Sequence, residues 1–159
     1  MRTSTRWSVG VVALLVTACA PNVDIQKDIE LVDVSTGWYD TGGADGMNKI
    51  VPTVTLRIKN KSGESVDRLQ VNAVFRRVGE PQEWGAKFVK GVGENGLPGG
   101  ATTSEIVLRS ERGYTGIEDH TRMLQNREFV DAKVDVFGRV GSRWIKMGEF
   151  QIDRTLVNN

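Results

Sequence analysis

The side chains with which this 159-residue chain could do acid–base, nucleophilic or metal chemistry are few: one histidine, one cysteine and scattered carboxylates. His120 stands in Glu118-Asp119-His120. Neighbours in a helix cannot converge on one ion, because facing positions lie three or four apart. The triplet reads as a solvated helix start, with acids at the positive end of the helix dipole. A Ser-His-Asp site would have to run through His120, yet neither Ser104 nor Ser110 has the surroundings of a nucleophile elbow. Asp40, Asp45 and Asn48 offer oxygen ligands for calcium, but without EF-hand spacing, and Asp and Asn are ordinary turn residues. Gly91-Val92-Gly93-Glu94-Asn95-Gly96 spells Gly-x-Gly-x-x-Gly. A dinucleotide site needs a helix to follow, so that its N-terminal amides meet the pyrophosphate; here Leu97-Pro98-Gly99-Gly100 follows. No catalytic residue, metal or cofactor is therefore expected, and the chain reads as a non-enzyme. A metal-dependent hydrolase built on Glu118 to His120 is the alternative from another class.

Trp38 and Tyr39 are candidates of a different kind. They fall in Gly37 to Asn48, where Gly37, Gly42, Gly43 and Gly46 predict a long loop, and long loops in compact domains often serve function. Aromatic side chains there would form a partner-binding hot spot or rest among lipid headgroups. Folded back, they would instead close one end of the domain.

The elements that must position these residues read as strands. In Ile50 to Asn60, Val54, Leu56 and Ile58 alternate with Thr53, Thr55, Arg57 and Lys59, the period of two of a half-buried strand. Leu69, Val71, Ala73 and Phe75 repeat the pattern after a turn at Asn60 to Glu64. Asp28 to Ser35, Trp84 to Val92, Thr102 to Arg109, Phe129 to Phe137 and a last strand from Ile145 complete the set. Trp84 to Val92 carries Ala86 and Phe88 on the side of Trp84, with Lys87 and Lys90 as guards of an edge strand. In the last strand Ile145 and Met147 differ in parity from Phe150 and Ile152, which predicts a bulge near Gly148. Helical spacing occurs only over Thr115 to Asn126, with Thr115 and Glu118 as a capping box. The fold expected is all-β: an immunoglobulin-like antiparallel β-sandwich of about seven strands with one short crossover helix. Residues 28–159 form it, after a signal segment over 1–18 and a tether over 19–27. A chain of this size buries on the order of two thirds of its unfolded surface without disulfides.

Upstream of the sandwich, Arg2 and Arg6 precede an apolar run from Val9 to Val16, and the run ends in Leu15-Val16-Thr17-Ala18-Cys19. Positive charges, a short apolar stretch and small residues at a cut site make a secretory signal, and the stretch is too short to cross a bilayer. With cysteine at its end the pattern resembles the lipobox of bacterial lipoproteins. The resemblance implies cleavage before Cys19 and acylation of its thiol, so that acyl chains hold the protein to a membrane; two chains hold stably where one does not. Ala20, where an aspartate would imply retention on the inner membrane, implies the outer one. Cys19 is the only cysteine, so no disulfide and no second thiol is available. Loss of Arg2 and Arg6 takes the formal net charge from +1 to −1. Basic and acidic residues alternate along the chain, without the basic stripe of a nucleic-acid binder.

Val54-Thr55-Leu56-Arg57-Ile58-Lys59-Asn60-Lys61-Ser62, then Leu69-Gln70-Val71-Asn72-Ala73-Val74-Phe75, then Leu97-Pro98-Gly99-Gly100 resemble the FxLYD type of extracytoplasmic β-sandwich module. The resemblance implies an immunoglobulin-like scaffold on an envelope lipoprotein and no catalytic residues. The function expected is a lipid-anchored, non-catalytic binding or assembly module facing the periplasm, whose partners are the membrane, through acylated Cys19, and another envelope protein. An accessory lipoprotein of a secretion apparatus is the alternative.

Overall fold

The computed structural model describes residues 23–43 and 45–158; the signal segment, Cys19 and the start of the tether lie outside the described residues. After a single helical turn, α1 (Ile25–Asp28), come β1 (Ile29–Asp40), β2 (Asn48–Asn60), β3 (Leu69–Arg77), β4 (Gly85–Val92), β5 (Ile106–Arg109) and β6 (Tyr114–Gly116). Helix α2 (His120–Gln125), β7 (Ala132–Arg139), β8 (Ile145–Gln151) and β9 (Leu156–Val157) follow. One sheet has the order β5-β2-β1-β9, with β6 also on β2, and the other has the order β4-β3-β7-β8. The all-β sandwich is as expected, and α2 crosses between its two sheets. The nine strands among the described residues exceed the expected number through β6 and the two-residue β9, each too short to leave a periodic signature.

The core lies between the alternating faces read from the sequence. Val54, Leu56 and Ile58 of β2 meet Val71, Ala73 and Phe75 of β3, and all six are fully buried. Strand β2 is paired on both sides along its length. Its far flank is one stretch of chain, joined at Thr102, then as β5, then as β6. The break between β5 and β6 follows from Pro52. Ser110 donates its N–H to Pro52 O at 3.0 Å, but proline has no N–H to return. The chain swings out over residues 110–113 and rejoins with Tyr114 opposite Ile50.

Asn60 closes the end of β2. It is fully buried, and its Nδ2 donates to Leu97 O at 2.9 Å and Glu64 O at 2.8 Å. Its Oδ1 accepts from Ser62 N at 3.0 Å and Ser62 Oγ at 2.7 Å. One side chain thus satisfies donors and acceptors of the 60–64 turn and of the Leu97-Pro98 turn together, as a buried amide must.

Several expectations are corrected. The long loop over 37–48 does not form: β1 runs on to Asp40, and both Trp38 and Tyr39 belong to it. The sequence hid this because Asp33 and Val34 stand together opposite Leu56, a bulge with Asp33 in the left-handed region at φ 50°. The extra residue flips the parity, so that Trp38 points inward although it is out of phase with Ile29 and Leu31. The capping box does not form either, because Thr115 lies in β6; Asp119 caps α2, its side chain accepting Arg122 N–H at 3.0 Å. Trp84 packs into the core whereas Phe88 lies on the outer face, 49% exposed. Strand β4 is an edge, as expected. The bulge near Gly148 is present as well: Gly148 pairs with Val136 and Lys146 with Phe137, leaving Met147 unpaired.

Gly113 tests the bulge that Pro52 imposes. A Cβ there would lie 1.9 Å from Ile50 O, so Gly113→Ala must push β6 off β2. Denaturant unfolding should show a loss of about 2 kcal/mol or more, and an unchanged midpoint would refute the account of this bulge.

Candidate binding site

At the end of the sandwich away from α1, four aromatic rings from separate stretches of the chain meet. Trp38 of β1 stands edge-on to Phe129 at 4.8 Å between centroids. Tyr114 of β6 lies 4.8 Å from Phe129, 5.0 Å from Trp84 and 5.7 Å from Trp38. These tilted and edge-on geometries suit the ring quadrupoles. Two guanidinium groups cap the cluster, Arg154 over Phe129 at 5.0 Å and Arg77 over Trp84 at 5.9 Å. Arg154 also donates to Asp131 Oδ1 at 2.6 Å and to Phe129 O at 3.1 Å, which ties the approach to β9 to the turn before β7. Tyr114 Oη donates to Val130 O at 3.0 Å, and burial of its ring pushes the phenol above its ordinary range.

Beside this cluster β6 and α2 enclose a groove of about 300 Å³, with Tyr114, Met123 and Phe129 as apolar lining and Glu118, Asn126 and Glu128 as polar lining. Ile117 stands on it 82% exposed. An apolar trough with a few carboxylate and amide groups is the form of a small-ligand or side-chain pocket. A second cleft, of about 390 Å³, opens between α1, the start of β1 and β8 against Ile25, Leu31, Met147 and Phe150.

The residues singled out in the sequence are distributed differently. Trp38 is fully buried, a pillar of the groove with no surface to offer a partner, because strand pairing with Pro52 fixes it facing the core. Tyr39, on the opposite face of β1, is half-buried under Arg109, whose guanidinium lies 3.7 Å from its ring centroid. Asp40 Oδ1 accepts Gly42 N–H at 2.7 Å and lies 3.1 Å from His120 Nε2. Asn48 Nδ2 donates to Glu118 O at 2.8 Å. Asp40 thereby ties the end of β1 to α2, and Asn48 ties the start of β2 to the approach of α2. Ser110 is buried against Gly85, its Oγ accepting Arg112 N–H at 3.1 Å. Residues 91–96 end β4 and make a turn, with Gly96 at φ 69°, and lead into the Val66–Leu97 bridge with no helix. Among the described residues no three His, Cys, Asp or Glu side chains gather as a metal site.

An ionic cluster on the outer face of the β4-β3-β7-β8 sheet had no signal in the sequence beyond alternation. Asp135, buried, is held by Arg76 from β3 and by Lys146 Nζ from β8 at 2.6 Å. Lys146 also reaches Glu149 at 2.7 Å, and Lys133 reaches it at 3.4 Å.

No protein-family model and no curated protein matches the chain. Among solved structures, the X-ray structure of Northeast Structural Genomics Consortium target SoR45 is similar, with a TM-score of 0.45 and 12% identity over 81% of this chain and 89% of that one.

The ionic cluster makes a prediction about acid. The hydrogen bond from Lys146, then the contacts with Asp135 and Lys133, hold the Glu149 carboxyl at about 2, well below its ordinary range. A depressed carboxylate stabilises the fold at pH values above its unfolded pKa, and that contribution is lost as pH falls towards the folded value. Unfolding midpoints measured from about pH 5 down to about pH 2 should fall, and Glu149→Gln should fall less steeply; parallel curves would contradict the assignment.

Proposed function

We propose that the protein is a lipid-anchored envelope lipoprotein whose sandwich acts as a non-catalytic binding or assembly module facing the periplasm, held at Cys19. The observation that carries the reading is the lipobox at Leu15 to Cys19, five residues before Asp24 caps α1. At no more than about 3.6 Å per residue, that interval spans at most about 18 Å, so an acylated Cys19 would hold the α1 end close to the bilayer. Ala20 favours the outer membrane. Strand β1 then runs from α1 to the aromatic cluster, 12 residues whose eleven rises of about 3.3 Å span roughly 36 Å, which would present the groove beside Ile117 on the side away from the membrane. An apolar trough between β6 and α2 suits a side chain of a partner protein, since hot spots form where an anchor fills a desolvated pocket.

Cys19→Ser is expected to move the protein from the membrane to the soluble fraction of cells, and unchanged membrane retention would sink the anchoring. Crosslinking of the acylated protein in native membranes should yield a stoichiometric partner by mass spectrometry, lost in Ile117→Asp. A partner retained by that variant would place the binding face elsewhere.

A further inference from the structure

The outer face of the β4-β3-β7-β8 sheet divides into two unlike halves. One holds the ionic cluster around Asp135. The other, at the α1 end, consists of two adjacent cross-strand rows. Lys90 pairs with Gln70 and Gln70 with Arg139; Phe88 pairs with Asn72, Asn72 with Phe137, and Phe137 with Lys146. Trp144 lies against both rows, edge-on to Phe88 at 6.1 Å and with the Arg139 guanidinium 4.6 Å from its ring centroid. Arg139 is fixed in turn by its Nε donating to Gln70 Oε1 at 2.8 Å. Phe88 is 49% and Val140 37% exposed, and Lys90 and Arg143 are exposed. The β7–β8 hairpin from Gly138 to Lys146 carries Arg139, Arg143 and Lys146 and no acid.

We propose that this face, Phe88 and Trp144 ringed by Lys90, Arg139 and Arg143, docks on the phosphate headgroups of the bilayer to which the chain is anchored. The inference rests on the anchoring reading above. Two independent features point to a lipid surface. The first is composition: an exposed Phe88 beside a half-buried Trp144 among cations, with no carboxylate in either row, matches a layer of anionic phosphates above an apolar interior. The second is place. The hairpin lies at the sheet end where α1 packs against β8 and Gln26 shares a cleft with Lys146, and a Cys19 anchor reaches at most about 18 Å beyond Asp24. A tethered patch meets its membrane at high effective concentration, so a contact too weak to bind alone suffices to orient the domain. With this face down, the sandwich leans on the bilayer.

The test uses the acylated protein in vesicles of phosphatidylethanolamine and phosphatidylglycerol, with and without bromine atoms near the top of the acyl chains. Bromolipid should quench part of the tryptophan emission. Trp144→Phe should abolish that loss, since Trp38 is fully buried and Trp84 lies in the core cluster. Lys90→Gln with Arg143→Gln, both at exposed positions, should weaken the quenching with the thermal midpoint unchanged. Vesicle-bound protein with equal emission in both lipids overturns this surface and leaves the anchoring intact. Failure to partition into vesicles overturns the anchoring and this surface with it. Release of the quenching by a single-stranded oligonucleotide would assign the face to nucleic acid and overturn the lipid proposal.

Discussion

Strand β2 must be paired on both sides while carrying a proline in its middle, and much of the molecule is a response to that conflict. A proline in a central strand ordinarily argues against the strand, because it removes a ladder hydrogen bond. Here the neighbour supplies the one bond Pro52 can accept, from Ser110, and then leaves the ladder for three residues before Tyr114. The departure needs Gly113, which passes against Ile50 too closely for any side chain. The return sets Tyr114 opposite Ile50, pointing at Trp38. The groove is thus a consequence of the detour, since an uninterrupted partner strand would place a different residue beside Trp38. Asn60 acts at the other end of β2, where one amide organises two turns.

The parts of this fold that were legible in the sequence are those governed by a single period. Val54, Leu56 and Ile58, and Leu69, Val71, Ala73 and Phe75, keep strict alternation because nothing interrupts their pairing, and they form the core. The bulge near Gly148 was readable for a related reason: two groups of apolar residues on opposite parities within one short strand require an extra residue between them. Trp38 was not, although the same device is at work at Asp33 and Val34. Gly37 just before it and Gly42, Gly43 and Gly46 behind it imitate a loop, and the residues that follow the parity change, Ser35, Thr36 and Gly37, have little apolar character to report it. The aromatic cluster was illegible for another reason. Trp38, Trp84, Tyr114 and Phe129 are far apart in the chain, and only the pairing of β6 with β2 brings them together.

The outer face of the second sheet shows how one pattern conceals two environments. Alternating polar positions read as a uniformly solvated face, but pairing across β3, β7 and β8 sorts them by row. One row set gathers Asp135 between Arg76 and Lys146 and withdraws the carboxylate from water, which needs both partners to be tolerable. The other gathers Phe88, Phe137 and Trp144 with cations alone. Lys146 stands at the border, reaching Asp135 and Glu149 from one and facing Phe137 in the other. The directions of the shifts agree with this: Lys146 is raised by its two carboxylate partners, while Glu149 is depressed.

The course of β1 has a mechanical meaning. This strand joins the α1 end to the aromatic cluster, and it is bonded to β2 from Ile29 to Asp40 with one interruption. A pull between the two ends of the molecule runs along β1 and loads its cross-strand hydrogen bonds sideways and together, so none can open before its neighbours. Tension applied across the sheet would open the same bonds one at a time. The short contact between β1 and β9, only two residues long, is where such a load would first find a weak point.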